Sequence, residues 1–162
     1  MSTPIVVDEW IYSDLRGDNE EDGPKQLQLS LFLERMLQMC DHFIVVKNSK
    51  LHNKINEISK IGDYRGSSDD KAKYLARHFM RSFFPRKDKI VWLEPEDLKE
   101  LDAKLKAIEG FKDDDYYLLK AHLNVPGSLI ITTDDDLIKA VGTYPGITIK
   151  HRDNFLPNYL KN

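Results

Sequence analysis

The chain has 162 residues, which is room for one domain with a real core and too few for two. Lys and Arg number 24 against 27 Asp and Glu, a formal charge of −3 that excludes both a strongly basic nucleic-acid coat and an acidic disordered tail. An apolar share of 41% suits a folded chain, and the single cysteine, Cys40, cannot form an internal disulfide. No apolar run nears the roughly 20 residues a membrane span needs. No basic segment followed by an apolar stretch opens the chain. The expectation is a soluble, cytoplasmic, single domain over residues 1–162.

In chain order, Pro4 to Asp8 reads as a short buried strand, a β-branched run with a polar stop. Asp14 to Pro24 is polar and predicts a loop. Gln26 to Met39 carries Leu27, Leu29, Leu31, Phe32, Leu33, Met36 and Leu37, the pattern of a largely buried helix, and Cys40 after it is expected in the core. Phe43 to Val46 is a second strand, and Ser49 suits the cap of a helix with Leu51, Ile55 and Ile58 along one side. Gly62 to Asp70 predicts a loop. Lys71 to Phe84 is the clearest amphipathic helix. Leu75, Phe79 and Phe83 form one stripe and Lys73, Arg77 and Arg81 another, two residues or about 200° away.

Ile90 to Leu93 is the third strand. Pro95 opens a predicted helix with Leu98, Leu101, Leu105 and Ile108, closed by Gly110. Asp113-Asp114-Asp115 heads a helix over Tyr116–Leu123. Ser128 to Thr132 is the fourth strand, and Asp134-Asp135-Asp136 precedes a short helix over Leu137–Val141. Gly146 to Lys150 is the fifth strand. Strands alternating with helices predict an α/β fold, a three-layer α/β/α arrangement on a central parallel sheet of about five strands.

In such a sheet, sites form beyond the carboxyl ends of the strands. Asp8 follows the first strand, Asp134 and Asp136 follow the fourth, and Asp114 heads the helix that leads into the fourth. Carboxylates converging there repel one another unless cations sustain their ionisation, and oxygen-only ligands suit Mg²⁺ or Mn²⁺. The competing reading is helix capping, where one Asp at a helix start satisfies free N–H groups for about 1 kcal/mol.

Three segments carry a family resemblance: Ile5-Val6-Val7-Asp8, Asp113-Asp114-Asp115-Tyr116-Tyr117-Leu118-Leu119-Lys120-Ala121, and Leu129-Ile130-Ile131-Thr132-Thr133-Asp134-Asp135-Asp136-Leu137. The chain resembles the PIN domain, a metal-dependent ribonuclease fold of toxin–antitoxin toxins and RNA-processing nucleases, over most of its length. The resemblance implies a metal-dependent endoribonuclease acting on RNA. It also implies Asp8, Asp114 and Asp134 as metal ligands and Asp136 as a ligand or outer partner. The chain departs from the family pattern at Trp10, where Asn or Ser is usual, and at Thr133, where Gly is usual. The family's acid on the helix after the second strand falls near Asn53 or Lys54, with Glu57 one turn later as a substitute.

Lys71 to Lys89 holds seven basic residues against Asp88 alone, a local charge of +6. With Tyr74, His78 and Phe84 nearby, Lys73, Arg77 and Arg81 are the candidates for RNA phosphate contact. The bland alternative is a solvated helix face. In toxin relatives this edge meets an antitoxin or a second subunit, which the resemblance makes the expected protein partners. The five histidines show no metal-binding spacing. Two rival functions stand beside the nuclease. One is a PIN-like module that has lost catalysis and binds RNA or protein. The other is a receiver-like signalling domain using Asp8-Glu9, Thr132 and Lys150, although Leu93 is followed by Glu94 where that pattern has its acceptor Asp.

Overall fold

The computed structural model describes residues 1–17, 22–60 and 67–161. Five strands, β1 (Pro4–Val7), β2 (His42–Val46), β3 (Ile90–Leu93), β4 (Leu129–Thr132) and β5 (Ile149–His151), form one sheet in the order β3-β2-β1-β4-β5. Every neighbouring pair is parallel. The helices are α1 (Trp10–Arg16), α2 (Gly23–Gln38), α3 (Lys50–Lys60), α4 (Ser67–Phe83), α5 (Ala103–Lys106), α6 (Tyr116–Asn124), α7 (Asp135–Val141) and α8 (Arg152–Lys161).

Strands β1–β4 are largely apolar on both sides, and the period of two splits their side chains between two cores. Ile5, Val7, Phe43, Val45, Leu129 and Ile131 face α1–α4 and α8, while Val6, Ile44, Val46 and Ile130 face α5–α7. The three-layer α/β/α fold expected from the sequence is therefore the fold found. Phe32 sits at the centre of the first core, with ring centroids of Tyr159, Phe43, Trp10 and Phe155 at 5.3 to 6.3 Å.

The chain runs outward from β1 to β3 with helices on one face, then returns past β1 to β4 and β5 with helices on the other. Crossovers of a single hand require that change of face when the direction reverses. The reversal falls between β1 and β4, the place where open α/β sheets hold their sites. A receiver domain has the order 2-1-3-4-5, so this topology speaks against the receiver-like alternative. Glu94 after β3 is engaged by Lys47. Among the described residues no helix is long and apolar enough to cross a membrane.

Several local expectations change. Residues 10–16, expected in part to be loop, form α1, with Trp10, Ile11 and Leu15 buried. The helix ends at Gly17, whose φ of +57° lets its N–H reach the Ser13 carbonyl at 3.2 Å. Leu27 and Leu31 of α2 are exposed rather than buried, as is Cys40. Ser49 does cap α3, accepting from the His52 N–H at 3.3 Å. The loop expected over 62–70 lies outside the described residues up to 66, and α4 already starts at Ser67. The helix expected from Pro95 is broken. Pro95–Asp97 is a 3₁₀ turn, and α5 is one turn capped by Asp102, whose carboxylate accepts from Lys104 N at 2.6 Å. Asp102 offers the backbone a local partner that competes with a continuous helix, yet Leu101 and Leu105 are buried as their spacing predicts. Helix α8 has no counterpart among the sequence expectations, and Pro157 in its interior helps to hide it.

Lys89, counted with the basic surface segment, is 3% exposed. Its ammonium donates to the carbonyls of Met36, at 2.7 Å, and Met39, closing the carboxyl end of α2. Removing it leaves buried carbonyls unsatisfied. Lys89→Met is expected to lower stability by about 2 kcal/mol, read as a lower urea midpoint at unchanged slope.

Candidate functional site

A cleft of about 380 Å³ opens at the carboxyl edge of β1 and β4, where the strand order reverses. Its carboxylates come from separate elements: Asp8 and Glu9 after β1, Asp14 on α1, Asp115 ahead of α6, and Asp134 after β4.

Asp8 is partly buried and doubly held. One oxygen accepts from Trp10 N at 2.9 Å and the other from the Thr132 hydroxyl. Burial pushes its carboxyl up to about 6, and Glu9 and Asp115 add to the rise. The Thr132 and Trp10 hydrogen bonds oppose it. Thr132 is fully buried, and its hydroxyl oxygen also accepts from Asp134 N at 3.0 Å. One hydroxyl thus couples the ends of β1 and β4. The Trp10 side chain is structural, since its indole N–H donates to the Ile131 carbonyl at 2.9 Å and pins α1 to β4.

Asp134 is both a cleft residue and a cap. One of its oxygens accepts from Leu137 N at 2.9 Å, the N-cap bond of α7. Asp135 and Asp136 occupy the exposed first turn of α7, where negative charge suits the helix dipole. Neither lines the cleft.

Asp113–Asp115 form a 3₁₀ turn before α6. At three residues per turn, successive side chains point roughly 120° apart, so the triplet cannot send all its carboxylates to one place. Asp115 lines the cleft. Its carboxyl is raised by burial first, then by Asp134, Asp114 and Glu9. The side chain of Asp114 is 71% exposed and lies 3.7 Å from the Lys50 ammonium. The cleft therefore brings together Asp8, Asp134 and Asp115, with Asp114 exposed beside Lys50.

Tyr117 faces the same acids. Burial, then Asp8, Glu9, Asp115 and Asp114, raise its phenol far above the ordinary range, so it stays a neutral hydroxyl. Helix α3 turns Lys50 and Lys54 toward Glu9, and it has no acid near Asn53 or Lys54, where the family resemblance puts one. Lys50 lines the cleft and pairs with Glu9 at 2.9 Å. Lys54 lies 3.4 Å from the other Glu9 oxygen and 5.0 Å over the Tyr12 ring. Glu57 is exposed and does not line the cleft. Among the described residues, no three His, Cys, Asp or Glu side chains are grouped closely enough to hold a metal ion as they stand.

Arg77 and Arg81 are exposed on α4, and the Lys73 side chain lies outside the described residues. No residue of α4 lines the cleft. Tyr74 is 69% exposed and stacks on His78 at 6.3 Å. Phe84 instead packs between Phe79, His52 and Trp92. Sequence reasoning misses Glu9, Asp115 and Tyr117 as lining residues of this cleft, and Thr132 as the buried hydroxyl that holds Asp8. Thr132 alone leaves a signal, as the hydroxyl at the end of an apolar strand two residues before an Asp. Comparison of the chain with protein-family models, with curated proteins and with solved structures returns no match.

Proposed function

We propose that the cleft binds Mg²⁺ or Mn²⁺ and hydrolyses RNA phosphodiester bonds, as a PIN-like endoribonuclease. The observation that carries this is Asp8, a partly buried carboxylate raised by desolvation at the strand-order reversal, in a cleft that Asp115 and Asp134 also line. A buried carboxylate with acidic neighbours is costly unless a cation offsets it, and an all-oxygen donor set fits a hard divalent ion. When bound, such an ion supplies Lewis-acid activation of water and offsets charge at the phosphodiester.

The chain's own groups have distinct roles in this reading. Thr132 and the Trp10 N–H fix the Asp8 oxygens. Asp115 and Asp134 contribute the remaining carboxylates after a change of rotamer. Tyr117 offers a neutral O–H donor inside the acid field. Arg77, Arg81 and Lys73 hold the RNA backbone, and Tyr74 gives a base a face to stack on.

The test is Mn²⁺-dependent cleavage of single-stranded and structured RNA. Asp115→Asn and Asp134→Asn are expected to slow cleavage at least about 100-fold, since even outer partners of a metal site are typically worth 10–100-fold. Asp114→Asn is expected to cost much less. Equal cleavage by wild type and the Asp115 and Asp134 variants, or none by wild type on any substrate, removes the catalytic proposal.

A second reading has its own support. Where the resemblance calls for an α3 acid, near Asn53 or Lys54, the chain has no acid, and Lys54 already engages Glu9. A PIN-like module that binds RNA without cutting it predicts no cleavage by wild type, and RNA binding that is lost in the Arg77→Ala/Arg81→Ala double variant.

A further inference from the structure

Helix α2 is apolar on two sides. Its inner face, with Leu29, Phe32, Leu33 and Met36, is buried in the first core. Its outer face carries Pro24, Leu27, Leu31, Glu34 and Gln38, all exposed, at alternating steps of three and four residues. That is the spacing of a coiled-coil seam. Leu27 is 62% exposed and Leu31 is 46% exposed. An apolar stripe on the solvent side of a helix adds nothing to the chain's own core and marks a contact surface. Toward the carboxyl end of the seam lies a groove of about 270 Å³, lined by Leu31, Glu34, Arg35, Gln38 and Leu160. The first four stand at i, i+3, i+4 and i+7, the set of positions that forms a hole for one knob of a facing helix.

We propose that α2 is a self-association surface, which pairs antiparallel with α2 of a second copy of the chain about a two-fold axis. A two-fold contact needs knob, hole and complementary charge on one patch, and α2 carries all three in a single register. Setting Leu27 opposite the partner's Leu31 brings the exposed Pro24 level with the partner's Glu34, in the middle of the groove. The same register brings Lys25 level with the partner's Glu34 and Asp22 level with the partner's Arg35, each to within one residue, or about 1.5 Å along the axis. The helix starts with Asp22 and Lys25 and ends with Glu34 and Arg35. Only the antiparallel arrangement crosses opposite signs, since a parallel one sets each charge beside its like. A different partner would require the groove alone, whereas a second copy also accounts for the apolar knobs beside it. Lys25 lines the acid cleft as well, so one end of the interface reaches the rim of the cleft.

The experiment is sedimentation equilibrium of the full chain from about 5 to 500 µM. One helix seam is at the small end of specific interfaces, so a dimer with a Kd on the order of 10–100 µM is expected. Leu31→Arg is expected to weaken it at least about tenfold. Its thermal midpoint, measured well below that concentration, should stay unchanged because Leu31 is exposed. Glu34→Lys is expected to weaken the dimer about tenfold, and Lys25→Glu/Glu34→Lys to return it to within about threefold of wild type. Oxidative cross-linking in a Cys40→Ser background reads the register. Leu27→Cys/Leu31→Cys is expected to form a covalent dimer, and Leu31→Cys alone is not. A chain that is monomeric at every concentration overturns the proposal. A dimer indifferent to Leu31→Arg also overturns it, by placing the interface elsewhere, and cross-linking of Leu31→Cys alone overturns the antiparallel register.

Discussion

Replacing Arg152 by methionine is expected to lower stability by about 3–5 kcal/mol, the range for stripping one partner from a buried ion pair. Arg152 is 3% exposed and Asp14 is 6% exposed. Nε donates to Asp14 Oδ2 at 2.7 Å, and Nη1 donates to Gln28 Oε1 and to Asp153 Oδ1, both at 2.8 Å. Nη2 lies 2.6 Å from the same Asp14 oxygen but makes no well-directed hydrogen bond, so that approach counts as charge attraction rather than a second prong. The guanidinium also lies 5.4 Å from the centre of the Trp10 ring. Burial raises the Asp14 carboxyl despite the Arg152 charge beside it, so the acid relies on that partner to stay ionised. Without Arg152, Asp14 must ionise unpaired or take up a proton, and α8 loses its polar anchor to α1. The Asp14→Leu/Arg152→Met double variant is expected to recover most of the loss, because no buried charge is left alone. Urea unfolding of the two single variants and the double variant gives the coupling. A loss below about 1 kcal/mol in Arg152→Met would show that the pair is solvated and the anchor dispensable.

Asp8→Asn is expected to act in the opposite sense, stabilising the protein by roughly 2–3 kcal/mol above pH 7. The Asp8 carboxyl is raised from 3.8 to about 6 in the fold. Between those values the folded protein holds a proton that the unfolded chain has released. The favourable contribution is therefore full below pH 3.8 and is lost as the pH rises through about 6. Asparagine does not ionise, so its variant should lack this decline while wild type loses stability from pH 4 to 7. Its amide N–H₂ must face one of the two present donors, Thr132 or the Trp10 N–H, which trims the gain. Unfolding free energies measured from pH 4 to 8 test it directly. A variant that is less stable than wild type at pH 8 would mean that Asp8 is not held at energetic cost. Under the nuclease proposal the same substitution also abolishes Mn²⁺-dependent cleavage. A more stable but inactive protein is the pattern expected where a functional group is kept in an unfavourable place.

The legibility of this site divides along a physical line. Asp8 and Asp134 could be placed from the sequence because each directly follows a β-branched run that can only be a buried strand. Asp115 could not be told from Asp114, since the rotation of a 3₁₀ turn about its axis is set by what it docks against. The capping reading of the second triplet also holds for Asp134, so one carboxylate serves both roles. The pairing of Lys50 and Lys54 with Glu9 left no local pattern, for these contacts join α3 to the turn after β1.

By itself, the sequence determined the layers. Apolar periods of two and of three to four are local properties, and they specify which segments become strands and helices and which faces they bury. They account for the five strands, the two cores and most helices. Only the tertiary structure decided the strand order β3-β2-β1-β4-β5, since one alternation of strands and helices is compatible with several orders. It also decided the fate of the charges. Lys89 went inside to close α2, and Asp14 went inside to meet an arginine 138 residues away. Burying an ion depends on a partner brought in from far along the chain, and no local pattern records where that partner will be.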